Sequence, residues 1–238
     1  CLATSLVEME GFDARDQMER YYRWAEEGYL SSTGTCFDIG GTVSAALRRF
    51  RQTGDPNSGS TDPQSAGNGC IMRLAPIPLY FFPSMETVER SAANSSRTTH
   101  GAEECVDACR LFARIRCRTL AGQTKEDVLF ADADVFTGAE KILSIARGDY
   151  QVKERDGIRG SGYVVDCLEA ALWCFCQTDS FEAAVLAAAN LGNDADTTAA
   201  VCGQLAGAHY GIGGIPARWL NRLAGRSMIE QMAVALCR

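Results

Sequence analysis

Apolar side chains recur every three or four residues along most of this chain, and nowhere do they alternate long enough to suggest a sheet. The spacing predicts helices almost throughout. Residues 13–28, "DARDQMERYYRWAEEG", set Met18, Tyr21, Tyr22 and Trp24 among charges, and Gly28 supplies a stop. Asp38 stands before "IGGTVSAALRRF", which predicts a helix capped by that aspartate and basic at its far end. The stretch 52–69, "QTGDPNSGSTDPQSAGNG", has no apolar period and predicts a long loop, a feature that in a compact domain is usually functional or disordered. In "CIMRLAPIPLYFF", Pro76 and Pro78 must end or kink the helix. Further helices are expected over 84–94, over 99–119 with its opening at Thr99 and His100, and over 124–148. A charged connector, "DYQVKERDGIRGSG", leads to the apolar helices "YVVDCLEAALWCFCQ" and "SFEAAVLAAANL", with Asp179 and Ser180 as cap candidates. A last helix, over about 197–211, carries Gly203, Gly207 and Gly211 at intervals of four, a ridge suited to close packing in a buried, central position. The fold class is all-α, and with no linker in sight residues 1–238 are expected to form a single compact multi-helix domain.

Composition narrows the partners. A net charge of −7 and a pI near 5.0 leave no basic stripe for a nucleic-acid backbone. A small anion remains admissible if backbone N–H groups hold it. No run of about 18 apolar residues exists to span a membrane, and no secretory signal is visible in the sequence as given. The eleven cysteines have neither zinc-knuckle spacing nor the density of a small disulfide scaffold, which points to reduced, buried thiols in a cytoplasm.

The densest chemistry lies in "LGNDADTTAAVCG", where Asp194, Asp196 and Thr197 crowd the start of the last helix. One cap needs one carboxylate, and two carboxylates so close repel unless a positive charge sits between them. A solvated double cap is one reading. The other is a hard cation, Mg²⁺ or Mn²⁺, for which two carboxylates and a hydroxyl are suitable donors.

Several separated segments carry a further likeness: "FDIGGTVSAALRR" (37–49), "SAGNGCIMRLAPI" (65–77), "SSRTTH" (95–100), and "GSGYVVDCLEAALWCF" with "GNDADTTAAVCGQLAGAHYG" toward the end. In these segments, taken in order, the chain resembles the ADP-ribosylglycohydrolase family of metal-dependent hydrolases, whose members include dinitrogenase reductase-activating glycohydrolases and ADP-ribosylarginine hydrolases. The resemblance implies an all-helical fold with a two-metal Mg²⁺ or Mn²⁺ centre in a cleft that receives ADP-ribose. It makes Asp194, Asp196 and Thr197 metal ligands, and Ser65, Asn68 and Gly69 a pyrophosphate-binding turn. His100 would help hold phosphate or ribose, with a capping or core histidine as the alternative. Tyr163, after Gly160, Ser161 and Gly162, would lie against adenine or at the core's edge. Asp38 would work near the scissile ribose, orienting substrate or moving a proton. The pair Asp132 and Asp134 in "ADADVFT" lies outside the matched segments, lacks a following hydroxyl and is expected to be a solvated acidic turn.

Two features depart from the family. Its acidic Thr-Asp-Asp-Thr motif is absent, and "CLATSLV" looks like the helix that follows it, so the chain is expected to start just after that motif and to hold about half the metal ligands. Residues 1–238 alone are then expected to bind metal weakly. Gly41 stands where relatives often carry a polar side chain that reaches the substrate. The function implied is hydrolysis of the glycosidic bond between ADP-ribose and a protein side chain, arginine first, or a small acceptor. Alternatives are an ADP-ribose-binding or structural protein on the same fold without catalysis, or a metallohydrolase of another nucleotide.

Overall fold

A computed structural model describes residues 1–237. Among them fourteen α-helices and four short 3₁₀ turns account for the regular structure, and the β-type pairing amounts to two isolated bridges, Ser60 with His100 and Gly67 with Tyr163. The all-α expectation holds.

Helix α1 (Leu2–Glu8) leads to α2 (Ala14–Glu27), where the Asp13 side chain accepts from the Asp16 N–H at 2.8 Å and Gly28, at φ 68°, ends the helix. Helix α3 (Gly41–Thr53) begins three residues after Asp38, with Gly40 as its cap residue. Asp38 therefore does not cap it: its own φ of 53° turns the chain away before the helix starts. The expected loop follows, broken by a 3₁₀ turn at Pro63–Ser65. Short helices α4 (Gly69–Met72) and α5 (Pro76–Phe81) divide where the prolines require, Pro76 opening the second because a first-turn residue needs no N–H acceptor.

Helix α6 (Met85–Thr99) runs five residues beyond the expected end, and α7 (Glu103–Leu120) opens at Glu103 rather than at Thr99. His100 consequently closes one helix instead of starting the next. The expected helix over 124–148 is two, α8 (Lys125–Phe130) and α9 (Glu140–Arg147), separated by the "ADADVFT" turn. That turn is not simply solvated. Asp132 is 1% exposed and accepts from Arg114 Nε at 2.8 Å and Arg118 Nη2 at 2.7 Å, whereas Asp134 does face solvent. The acidic pair by itself does not reveal this, since both arginines that claim Asp132 lie on α7, a turn apart.

Helices α10 (Val164–Cys176), α11 (Phe181–Ala189, capped by Ser180) and α12 (Ala195–Tyr210) follow, then α13 (Ala217–Leu220) and α14 (Arg226–Leu236). The most enclosed helix is α7, which touches seven others from α4 to α12, rather than α12. The α12 glycines pack on α11 without being strictly required: a methyl at Gly203 would meet Val185 at 3.6 Å and one at Gly207 would meet Phe181 at 3.7 Å, ordinary contact distances. Among the described residues all eleven cysteines are free thiols, seven of them buried. No described helix is long and apolar enough to cross a membrane.

The apolar interior falls into two clusters. The larger runs from Leu2 through α7, α10 and α12 to Leu236; the smaller joins α2 and α3 through Met18, Tyr21, Leu47 and Phe50. Residues bordering both clusters line one cleft.

Candidate functional site

The cleft holds about 590 Å³. One wall comes from the smaller cluster and its flanking loop: Tyr21 and Trp24 of α2, Leu30, Asp38, and the first residues of α3. The other comes from residues remote in sequence, the turn Gly67–Asn68–Gly69, Thr99 with His100, Gly162, and Asp194 with Thr197 at the start of α12. Of the residues singled out in the sequence, Asp38, Asn68, Gly69, His100, Gly162, Asp194 and Thr197 thus meet in one place.

Two loops are laced together to form the second wall. The Asn68 N–H donates to the Gly162 carbonyl at 3.0 Å, and the Val164 N–H donates to the Ala66 carbonyl at 3.0 Å. Asn68 Nδ2 then reaches Asp194 Oδ2 at 2.6 Å and the Ser161 carbonyl at 3.3 Å. Asp194 occupies the cap position of α12, yet its side chain accepts no hydrogen bond from that helix. The simple-cap reading fails for it because the carboxylate is drawn across to Asn68 instead. Its backbone N–H donates to the Gly160 carbonyl at 2.8 Å, and Gly160 must be small, since a Cβ there would lie 2.9 Å from Thr198 Oγ1.

His100 is 2% exposed. Its Nδ1 shares a 2.7 Å hydrogen bond with the Thr99 hydroxyl, which leaves Nε2 against the glycine turn; a Cβ on Gly69 would come within 3.3 Å of Nε2 and 3.1 Å of Cε1. Burial pushes the imidazole pKa below its ordinary value of 6.5, and the Arg73 guanidinium adds to that push against an opposing contribution from Cys70. At neutral pH the ring is uncharged, able to donate one hydrogen bond and accept another.

Other singled-out residues lie outside the lining. The Ser65 hydroxyl is spent on the Asp62 carbonyl at 2.6 Å, inside its own 3₁₀ turn. Gly160 is buried behind Asp194. Ser161 donates to Asp166 Oδ2 at 2.8 Å and accepts the Tyr163 N–H at 3.1 Å, so it fixes the entry to α10. The Tyr163 hydroxyl bridges Lys141 Nζ (2.7 Å) and Glu104 Oε2, and the half-buried ring has its centroid 5.1 Å from the Lys141 ammonium. Asp196 is exposed on the first turn of α12.

Sequence reasoning missed Trp24, Arg73, Thr42 and Met72 as lining residues. Arg73 donates to the Ser95 carbonyl at 2.8 Å and lies over the Tyr21 ring at 5.0 Å, joining α4 to α6 and α2. The three-residue interval between Tyr21 and Trp24 was the available signal, because it sets both rings on one helix face.

The donors at the start of α12 suit a hard cation in kind. Among the described residues neither the Asp196 carboxylate nor the Thr197 hydroxyl has a hydrogen-bond partner, and Asp194 spends one oxygen on Asn68. Their number is small, since no three His, Cys, Asp or Glu side chains converge among the described residues. An octahedral Mg²⁺ would need further oxygens beyond these.

The family model described as ADP-ribosylglycohydrolase matches residues 1–238. An ADP-ribosylarginine hydrolase of Serratia proteamaculans is 39% identical over 99% of this chain, and one of Pseudomonas putida is 41% identical over 99%. The chain spans 64% and 63% of those two relatives' lengths. The ADP-ribosyl-[dinitrogen reductase] glycohydrolase of Rhodospirillum rubrum is 28% identical over 93% of this chain and 70% of its own. A solved structure titled ADP-ribosylglycohydrolase-related protein complex superposes with a TM-score of 0.86 at 39% identity, covering 100% of this chain and 78% of that one.

Proposed function

Since this chain belongs to the ADP-ribosylglycohydrolase family, we propose that its cleft hydrolyses the bond between ADP-ribose and an arginine side chain. The observation that carries the reading is the Asn68–Asp194 hydrogen bond of 2.6 Å, which binds the glycine turn to the acidic start of α12 and makes one polar wall of them. In the reaction the bond between the anomeric carbon and the guanidine nitrogen breaks, water supplies the new oxygen on that carbon, and the leaving guanidine takes up a proton.

The residues divide the work by chemistry. Gly69, Asn68 and neutral His100 would face the pyrophosphate and ribose, with Nε2 free to meet an oxygen. Within the turn, the Gly67 and Asn68 N–H groups are already committed to Ser65 and Gly162, so Gly69 provides the open backbone donor. The Tyr163 ring, which follows Gly162 in sequence, would take the adenine. Asp38, a carboxylate that lines the cleft and has no partner among the described residues, would orient the substrate or move a proton to or from the water or the leaving nitrogen near the anomeric carbon. Asp194, Asp196 and Thr197 would hold part of a Mg²⁺ or Mn²⁺ centre. Bound there, divalent ions would orient the ribose hydroxyls and a water and offset the charge that develops as the bond breaks.

The test is release of free ADP-ribose from mono-ADP-ribosylated arginine by the gene-encoded protein, with Mg²⁺, with Mn²⁺ and with excess chelator. Release that disappears on chelation is expected. Release unaffected by chelation would remove the metal from this account, and no release under any condition would remove the activity.

A further inference from the structure

Trp24 and Asp38 line the same cleft, and each has a surface that nothing in the protein uses. Trp24 is half-buried, yet among the described residues its indole N–H has no acceptor and its ring no stacking partner. The contrast with its neighbours is consistent. Tyr21, Tyr22 and Tyr29 each carry a guanidinium over the ring, from Arg73 at 5.0 Å, Arg51 at 4.4 Å and Arg23 at 3.8 Å. The other tryptophans are also engaged: Trp173 donates to the Lys153 carbonyl at 3.0 Å, and Trp219 packs on Phe181 at 6.0 Å. Trp24, the ring type with the strongest attraction for a cation, is the bare one of its group.

Asp38 is equally unclaimed. It is exposed, takes part in no hydrogen bond or ion pair among the described residues, and holds a left-handed φ of 53°. A non-glycine residue kept in that region is strained, and such positions cluster where a side chain must be aimed.

We propose that Trp24 and Asp38 form a subsite for a guanidinium, the group by which ADP-ribose is joined to arginine, and that this pair selects arginine-linked over hydroxyl-linked substrates. The inference rests on the function proposed above. A guanidinium is planar and weakly hydrated, so it can stack on indole while its N–H groups meet a carboxylate; an ammonium offers no such plane, and a serine linkage offers no cation. Adenine could also stack on Trp24, but it brings no positive charge for Asp38. Gly41, which lines the same cleft and has open space where a Cβ would stand, adds no side chain to crowd the entering arginine.

The experiment is calorimetric titration of propylguanidine, with propylurea as its uncharged isostere, into the gene-encoded protein and its variants. Binding of propylguanidine and none of propylurea is expected. Trp24→Ala should weaken that binding roughly tenfold, Asp38→Asn should weaken it comparably, and Trp24→Phe should retain most of it. Free ADP-ribose should bind Trp24→Ala as it binds the parent. Undiminished propylguanidine binding by Trp24→Ala, no binding by the parent, or an equal loss of ADP-ribose affinity would overturn the subsite, the last outcome assigning the ring to adenine. Propylguanidine binding without ADP-ribose release from any substrate would instead discard the proposed hydrolysis and leave the subsite standing. Normal hydrolysis of ADP-ribosyl-arginine by Trp24→Ala would discard only the subsite.

Discussion

Asp194 and His100 illustrate how neighbouring groups and burial set chemistry in this cleft. An aspartate at a helix start ordinarily satisfies N–H groups of its own helix, and here it satisfies Asn68 instead. Asn68→Ala should therefore free the carboxylate, loosen the turn and weaken ADP-ribose binding measurably in a calorimetric titration; parent-like affinity would show that the linkage does not organise the site. His100 gives a second prediction, through its depressed pKa. The unfolded chain takes up the proton first as pH falls below 6.5, so stability contributed by the neutral ring is full above that pH and is lost as pH falls further. The chain has only two histidines, which makes assignment simple: NMR should place the His100 midpoint below 6.5, and a midpoint above it would contradict the burial argument. The acidic motif was legible in the sequence because its residue types are few and local. The partner of Asp194 was not, since Asn68 is 126 residues away and only the fold brings it near.

Helix α4 is only four residues long and cannot hold its own position. Gln204 of α12 donates to its terminal carbonyls, Ile71 at 3.1 Å and Met72 at 2.8 Å, and Arg116 of α7 in turn donates to Gln204 Oε1 at 2.8 Å. Arg116 is 3% exposed with no carboxylate paired to it among the described residues, and burial lowers its pKa to about 10, still charged at neutral pH. Gln204→Leu would strip the donor from the Met72 carbonyl and the acceptor from a buried guanidinium, while the Ile71 carbonyl keeps the Leu74 N–H, a loss of about 2–4 kcal/mol in urea unfolding. A change under about 1 kcal/mol would mean that water replaces the amide. The Asp pair between α8 and α9 separates by the same logic. Asp132→Ala should cost about 3 kcal/mol, because it strips a buried acceptor from Arg114 and Arg118, whereas exposed Asp134→Asn should stay within about 0.5 kcal/mol. Equal effects would refute the assignment. Helix existence and several stops, such as Gly28 and Pro76, could be read from local chemistry. The break inside 124–148 could not, since it depends on Asp132 reaching Arg114 and Arg118, nor could the start of α7 at Glu103, since His100 and Gly101 before it pair with Ser60 of the distant loop.

An acidic protein proposed to receive an anion needs donors other than a basic surface, and among the described residues the cleft offers backbone, imidazole and a single guanidinium, Arg73. The order of the motifs along the chain made the polar wall foreseeable, because each motif carries its own local chemistry. The aromatic wall was hidden for the opposite reason: Tyr21 and Trp24 read as core-facing residues of an ordinary amphipathic helix, and only the separation of the interior into two clusters brings that face to the cleft. Hydrogen–deuterium exchange of the gene-encoded protein, with and without saturating ADP-ribose in the presence of Mg²⁺, tests the location of the site most directly. Slowed exchange is predicted across 66–70, 99–101, 160–164 and 194–198, with none at 131–137. Protection confined to other segments, or no protection under saturating ligand, would contradict the assignment of this cleft as the ADP-ribose site.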